Sequence, residues 1–219
     1  AGKTGAFMGL YSLMTMNGGN GKFVSGLGTA PGIKVLVLGC GVVGSAAIEV
    51  LQSMGAWVTV MATNIGHLRR VSSAYDGKVN TMISNRYNLS QILPKVDLVV
   101  NCVRWDKSNK DYLITREMVK SMQKGSVIVD ISNDYGAIET FHETTLSDPT
   151  YIEEGVVHYC VSNIPSAIAH SASIAYAAAI NRHIGSLLNK GVKQACIEDG
   201  YLRRGMVTYK GYLTHEETS

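Results

Sequence analysis

The stretch KVLVLGCGVVG, residues 34–44, decides the fold, because an apolar run typical of a buried strand passes directly into a G-x-G-x-x-G pattern that opens a helix. Here Gly39 permits the tight turn, Gly41 lets the backbone approach a pyrophosphate, and Gly44 lets the helix pack on the strand. The N-terminus of that helix offers free N–H groups and a positive dipole to phosphates. The stretch therefore predicts a dinucleotide-binding site at the first strand–helix turn.

Strand and helix patterns alternate beyond this stretch. Apolar runs predict further strands at residues 57–61, 79–83, 98–102, 127–131 and 156–161. Helical spacing predicts helices at residues 42–54, 65–73, 89–93 and 116–122, the last capped by Thr115, and a long helix at about 166–190. Residues 139–155 are expected to be irregular. Continuous apolar strands separated by helices predict an α/β fold, a doubly wound parallel sheet of Rossmann type.

The N-terminal residues form a second pattern. A helix is expected over residues 4–16, followed by a glycine-rich connector over residues 17–32. The chain begins at Ala1, already inside that helical pattern, so we expect further protein to precede it.

Composition limits the class of partner. The chain has 219 residues, 46% hydrophobic and 17% charged, with a net charge of +3, and no basic run is interleaved with aromatic residues. Nucleic acid and membrane surfaces are therefore not expected partners, and a small molecule is. The four cysteines lack paired spacing, so neither disulfides nor a metal site is expected. The absence of a secretory signal or a long apolar stretch makes the cytoplasm the expected location.

The end of the second predicted strand bears on the choice of cofactor. An NAD site usually has Asp or Glu there, to accept both ribose hydroxyls. This chain has Ala62, Thr63 and Asn64 instead. A 2′-phosphate would be tolerated and could meet Asn64, His67, Arg69 or Arg70, so NADP is slightly favoured over NAD, although these arginines could equally form a solvated helix face.

From Pro31 onward the sequence resembles the alanine dehydrogenase and transhydrogenase family, on the alanine dehydrogenase side. The matching segments, in order, are VLVLGCGVVG, GAWVTVMATN, DLVVNCV, ITREMVKSMQKGSVIVDISNDYGAIET, TTLSDPTY, GVVHYCVSNIPSAI and YKGYLTHE. The resemblance implies a cofactor domain inserted into a substrate domain, whose larger part precedes it. Residues 1–166 would be the NAD(P)-binding Rossmann domain, and residues 167–219 the C-terminal segment of the substrate domain. The resemblance also implies a homo-oligomer.

The same resemblance implies roles for individual residues. Asp134, in SNDYGA, matches the family aspartate near the nicotinamide and is the predicted catalytic residue, although a turn residue before Gly136 is the alternative interpretation. Asp130 and His158 are interpreted as structural, and His170 is not assigned a catalytic role. The predicted cofactor contacts lie after the strands: Gly39, Gly41, Val42, Val43, Gly44, Ala62, Thr63, Asn64, Ser84, Val103 and Asn163.

The implied reaction is reversible hydride transfer between a nicotinamide and an amino or imino acid, with an amino or keto acid as substrate. Two departures from the family pattern keep alternatives open. VRWDKSNKDY, residues 103–112, is more similar to the carboxyethylornithine synthase branch, which joins pyruvate to an amino acid with NADPH, and AHSAS replaces the usual PRTST at residues 169–173. Outside enzymes, the chain could be the nucleotide-binding component of a transhydrogenase or a non-catalytic dinucleotide sensor.

Overall fold

A computed structural model describes residues 1–106, 108–133 and 136–215. The chain divides into two compact units, Ala1–Ala167 and Ile168–Ser219. The first unit contains the glycine-rich motif and the sheet, and the second is mainly helical.

In the described part of the first unit, seven strands form one sheet, in the order β3-β2-β1-β4-β5-β7-β6. The strands are β1 Lys34–Leu38, β2 Trp57–Ala62, β3 Asn80–Ile83, β4 Leu98–Asn101, β5 Val127–Asp130, β6 Thr150–Glu153 and β7 Val156–Tyr159. All neighbouring strands are parallel except β6, which runs antiparallel to β7. The predicted doubly wound α/β fold is confirmed, and the strand order reverses between β1 and β4.

Helices cover both faces of this sheet. They are α1 Gly2–Ser12, α2 Val42–Ser53, α3 Ile65–Ala74, α4 Arg86–Ile92 and α5 Arg116–Lys120. Residues of α1, α2 and α3 share one apolar cluster with alternate strand residues such as Val35 and Val37, whereas α4 and α5 share another with Leu36 and Leu38. The central strands are thus buried on both faces, which explains why they are continuously apolar.

Polar caps set where several helices begin. The side chain of Thr115 accepts from the backbone N–H of Met118, as predicted for the start of α5. Asn85 accepts from the N–H of Asn88 at 2.7 Å, so α4 begins at Arg86 rather than at residue 89. The prediction for α4 was wrong there because it followed apolar spacing and missed the cap.

The expectation of an irregular stretch over residues 139–155 was wrong at its end, where Thr150–Glu153 form β6. Glu153 pairs with Val156 across a two-residue turn at Glu154 and Gly155, which have φ values of 53° and 80°. Two consecutive left-handed residues ending in glycine are the usual short connection between antiparallel strands. Arg116 holds this turn from outside, with guanidinium nitrogens 2.5 Å from Glu153 Oε1 and 2.7 Å from Glu154 Oε1.

A buried carboxylate fixes the glycine-rich connector to the sheet. Asp97, just before β4, is 2% exposed. It accepts from the Lys34 backbone N–H at 2.9 Å, from Asn20 Nδ2 at 3.0 Å and from Lys22 Nζ at 2.6 Å. Residues 18–33 lack helix and strand, and these bonds supply a specific attachment in their place.

The second unit begins with a long helix. Helix α6 spans Ala169–Glu198, but Gly191 (φ 73°, ψ 162°) interrupts it, so its first straight section ends where the predicted helix ends, at Lys190. The short helix α7, Gly200–Arg204, and the hairpin of β8 (Thr208–Tyr209) and β9 (Tyr212–Leu213) were not predicted. Asp199 accepts from His183 Nδ1 at 2.7 Å and from the Tyr201 backbone N–H at 2.8 Å, which connects the end of α6 to α7. No helix within the described ranges is long and apolar enough to cross a membrane.

Candidate functional site

A cleft of about 490 Å³ lies at the carboxyl ends of β1–β4. The residues that directly follow the strands keep the hydrogen bonding between neighbouring strands. The backbone N–H of Gly39 donates to the Met61 carbonyl, that of Cys102 to Leu38 and that of Ser84 to Ala62. Residues that follow four different strands are therefore brought to one edge. This edge includes the position between β1 and β4 where the strand order reverses, which is where open α/β sheets bind ligands.

The three motif glycines are needed for different reasons. Gly39 has a φ of 84°, and a Cβ there would lie 3.1 Å from the Cys102 carbonyl oxygen. A Cβ at Gly44 would lie 2.0 Å from the Gly39 carbonyl oxygen, so the start of α2 could not pack on the turn. Gly41 has an ordinary φ of −72°, and a Cβ there would meet nothing within 4 Å. The protein itself does not require glycine at position 41, whereas a ligand in close contact with the turn would.

The end of β2 lacks a carboxylate, as the sequence indicated. Ala62, Thr63 and Asn64 all line the cleft. The side chain of Asn64 is already engaged, because its Oδ1 accepts from the His67 backbone N–H at 3.1 Å and caps α3. Ala62 offers no polar side-chain atom at all, so this edge does not exclude an anion.

The charges that line the cleft are mainly positive. Its cationic side chains are Arg86 and Arg104. Among the described lining residues, Asp111 is the one carboxylate. An excess of cations over carboxylates favours a ligand that carries phosphates.

A buried side-chain amide, that of Asn101, holds part of the cleft wall in place, and this residue was not predicted as part of the site. Asn101, the last residue of β4, is fully buried; its Nδ2 donates to Asp130 Oδ1 at 2.8 Å and its Oδ1 accepts from the Val103 backbone N–H at 3.2 Å. It thereby fixes the backbone of Val103, which lines the cleft. The available signal was a polar residue at the end of the apolar run DLVVN.

The Cys102 thiol, next to Asn101 in the chain, also lines the cleft. Burial raises the pKa of this thiol to about 12, so it stays neutral.

The predicted cofactor contacts divide into three groups. Gly39, Gly41, Ala62, Thr63, Asn64, Ser84 and Val103 line the 490 Å³ cleft. Val42 lines a neighbouring cleft, described next, whereas Val43, Gly44 and Asn163 line neither of the two. Asp134 lies outside the described residues, so its role stays a prediction.

A second cleft, of about 460 Å³, lies between α2 and α3, and we call it the α2–α3 cleft. Cys40, Gly41 and His67 line both clefts, which therefore share a border at the glycine-rich turn. Arg70 lines the α2–α3 cleft, and Arg69 lines neither.

His158 belongs to a different part of the sheet. It is fully buried, with Nε2 2.8 Å from Thr140 Oγ1 and Nδ1 3.0 Å from the Val156 carbonyl oxygen. Its ring stacks on Tyr151, whose hydroxyl donates to the Thr140 carbonyl at 2.8 Å. Burial lowers the pKa of His158 to about 4 and keeps the ring neutral. Both ring nitrogens have partners, which is the structural role expected for it.

Comparison with known proteins identifies the family. The family profile described as "Alanine dehydrogenase/PNT, C-terminal domain" matches residues 5–216. The chain is 38% identical over 218 residues to an alanine dehydrogenase of Methanococcus maripaludis and 38% identical over 218 residues to one of Staphylococcus haemolyticus. In both cases the match covers 99% of this chain and 58% of the relative, so the chain spans less than two thirds of the length of these curated relatives.

Solved structures of related proteins have the same fold as this chain. An L-alanine dehydrogenase superposes with a TM-score of 0.91 at 30% identity, covering 100% of this chain and 60% of that one. A transhydrogenase from Sinorhizobium meliloti superposes with a TM-score of 0.73 at 21% identity, over 97% of this chain and 62% of that one, which shows a shared fold. The family resemblance of the sequence motifs is confirmed, and the chain belongs to the alanine dehydrogenase/PNT C-terminal domain family.

Proposed function

We propose that this chain is the dinucleotide-binding part of an NAD(P)-dependent amino-acid oxidoreductase. In this proposal residues 1–166 bind the cofactor and residues 167–219 contribute to a substrate domain. The observation that carries it is Gly41, whose missing side chain leaves open space at the border of a cation-lined cleft. Relatives named alanine dehydrogenases, matched over 99% of this chain, support the amino-acid substrate class.

Each part of the cleft has a binding role in this proposal. The backbone of the glycine-rich turn and the N-terminus of α2 bind the pyrophosphate. Ala62, Ser84 and Val103, at the ends of β2, β3 and β4, contact the adenosine side. When bound, the nicotinamide supplies the group that accepts or donates hydride. The protein holds the substrate carbon beside it and excludes water, and Asp134 orients the substrate or exchanges protons with it.

The proposed cofactor is NAD or NADP, with NADP favoured. In NAD sites a carboxylate at the end of β2 accepts the ribose hydroxyls, and the same charge repels a 2′-phosphate. Ala62 and Thr63, which line the cleft here, have no carboxylate, so they neither bind the ribose hydroxyls in this way nor repel a 2′-phosphate.

Reductive condensation of pyruvate with a second amino acid, as in carboxyethylornithine synthase, is the second candidate. The loop whose sequence departs from the alanine dehydrogenase pattern contributes Val103, Arg104 and Trp105 to the cleft wall. Trp105 Nε1 donates to the Asp111 carbonyl at 2.9 Å, which connects the two ends of that loop. NADPH oxidation by the enzyme with pyruvate and ornithine, but not with pyruvate and ammonia, would favour this candidate.

Titration of the 219-residue chain with NADH and NADPH, followed by nicotinamide fluorescence or calorimetry, tests the proposal. We expect saturable binding of at least one of them in the micromolar range, about −8 kcal/mol. Absence of binding by both at millimolar concentration would overturn the proposal. Retained binding without hydride transfer to any amino or keto acid in the complete enzyme would instead identify a dinucleotide sensor.

A further inference from the structure

The α2–α3 cleft contains a positive charge that the proposed pyrophosphate site does not use. Arg70, on α3, lines this cleft, and no Asp or Glu is among its described lining residues. Within the described ranges Arg70 forms no ion pair. Its charge acts on the neighbouring Cys40 thiol: burial raises the pKa of that thiol, and Arg70 lowers it in part. A guanidinium left without a carboxylate is available to an anionic ligand.

The position of this charge limits what the anion can be. Cys40 and His67 line both clefts, so a ligand along the glycine-rich turn borders the cleft that contains Arg70. The end of β2, where the adenosine ribose is bound in dinucleotide sites, contributes Ala62 and Thr63 to the first cleft. An anionic group on that ribose would meet no carboxylate of β2, and the cleft that contains Arg70 borders its site at Cys40 and His67.

We propose that Arg70, with His67 beside it, binds the 2′-phosphate of NADP(H) and makes this chain select NADP(H) over NAD(H). This inference rests on the dinucleotide-binding function proposed above. Arginine suits the role because its planar guanidinium donates two parallel hydrogen bonds to a phosphate.

Two other residues suggested by the sequence are less suitable than Arg70. Asn64 carries no charge, and its Oδ1 already accepts from the His67 backbone N–H in the cap of α3, so it offers a phosphate only the neutral donor Nδ2. Arg69 is adjacent to Arg70 in sequence but lines neither cleft. Successive residues of a helix point about 100° apart, which places the two arginines in different surroundings.

The test measures binding of NADPH and NADH to the 219-residue chain, to Arg70→Gln and to the matched control Arg69→Gln. We expect the unchanged chain to bind NADPH at least about tenfold more tightly than NADH. Arg70→Gln should weaken NADPH binding by a similar factor and leave NADH binding unchanged, and Arg69→Gln should preserve the preference. Both arginines are exposed, and a thermal unfolding curve for each variant checks that the fold is retained.

A second probe removes the nicotinamide from the comparison. Adenosine 2′,5′-bisphosphate should displace NADPH better than AMP does in the unchanged chain, and Arg70→Gln should abolish that difference. Equal affinity for NADPH and NADH, or an equal loss for both in Arg70→Gln, would overturn the selectivity assignment while leaving the proposed function intact. Loss of the preference in Arg69→Gln as well would overturn the assignment to Arg70. Failure to bind either dinucleotide would instead count against the proposed function.

Discussion

A Cβ atom at Gly44, in the first turn of α2, would lie 2.0 Å from the carbonyl oxygen of Gly39, which directly follows β1. The close approach of the first turn of α2 to the end of β1 therefore depends on the absence of that atom. Gly41, between them, has open space in the direction of its missing side chain. Packing and the proposed ligand contact thus depend on different glycines of a single motif.

This separation predicts opposite effects for two substitutions. Gly44→Ala should lower the free energy of unfolding by about 1–3 kcal/mol, because backbone atoms must move to admit the methyl group. Gly41→Ala should change it by less than about 0.5 kcal/mol and should weaken dinucleotide binding at least about tenfold. Denaturant unfolding and cofactor titration of both variants measure the two effects. Unchanged cofactor affinity in Gly41→Ala would contradict the ligand contact.

The contrast also shows what sequence could predict. The motif predicted the turn between β1 and α2 because it combines a strand, three spaced glycines and a helix. Strand β6 was missed because its residues, TYIE, are short and partly polar, and its pairing depends on the turn at Glu154 and Gly155. That turn has a local signal, a glycine after a polar residue, which becomes informative once β7 is placed.

A carboxylate at the end of β2 should reverse the proposed cofactor preference. Ala62→Asp would add a negative charge where the cleft now has a methyl group. We expect it to weaken NADPH binding about tenfold or more and to strengthen NADH binding, because a carboxylate accepts the ribose hydroxyls and repels a 2′-phosphate. Parallel titrations of Ala62→Asp and the uncharged control Ala62→Asn measure this. The same shift in both variants would show that charge is not the cause.

The sequence predicted which edge of the sheet carries the cleft better than it predicted the individual residues that line it. Most of the residues predicted to contact the cofactor line the first cleft, because the residues that follow parallel strands meet at one edge. The sequence could not distinguish Arg69 from Arg70, since that choice depends on the rotation of α3 against α2. It gave only a weak signal for Asn101, a polar residue at the end of an apolar run, because the bond to Asp130 joins two strands through residues 29 positions apart.

Removal of Asp97 should weaken the attachment of the glycine-rich connector to the sheet. Asp97→Ala leaves the backbone N–H of Lys34 and the amide of Asn20 without their acceptor. We expect the free energy of unfolding to fall by about 2 kcal/mol or more, measured by urea denaturation. Glu49→Ala is a suitable control, since it breaks an exposed pair with Lys3 and should cost less than about 1 kcal/mol. A similar small loss in both variants would show that the connector is not held by Asp97.

Buried His158 should make the protein less stable in mild acid. Its pKa is lowered from 6.5 to about 4 by burial in the folded chain, so between these pH values the unfolded chain binds the proton and the folded chain does not. The contribution of neutral His158 to the free energy of unfolding is therefore fully present above pH 6.5 and is lost as the pH falls towards 4. This one group contributes a slope of at most about 1.4 kcal/mol per pH unit to the free energy of unfolding.

Urea unfolding at several pH values between 4 and 7 compares this slope in the unchanged chain, in His158→Gln and in His142→Gln. His142 also stacks on Tyr151 but is exposed, so His142→Gln should retain the slope. His158→Gln should be less stable at neutral pH, because it disturbs the bonds to Thr140 and Val156, and its stability should decline less steeply in acid. Parallel pH profiles for the unchanged chain and His158→Gln would mean that His158 accepts its proton equally in both states and that its burial does not control the acid response.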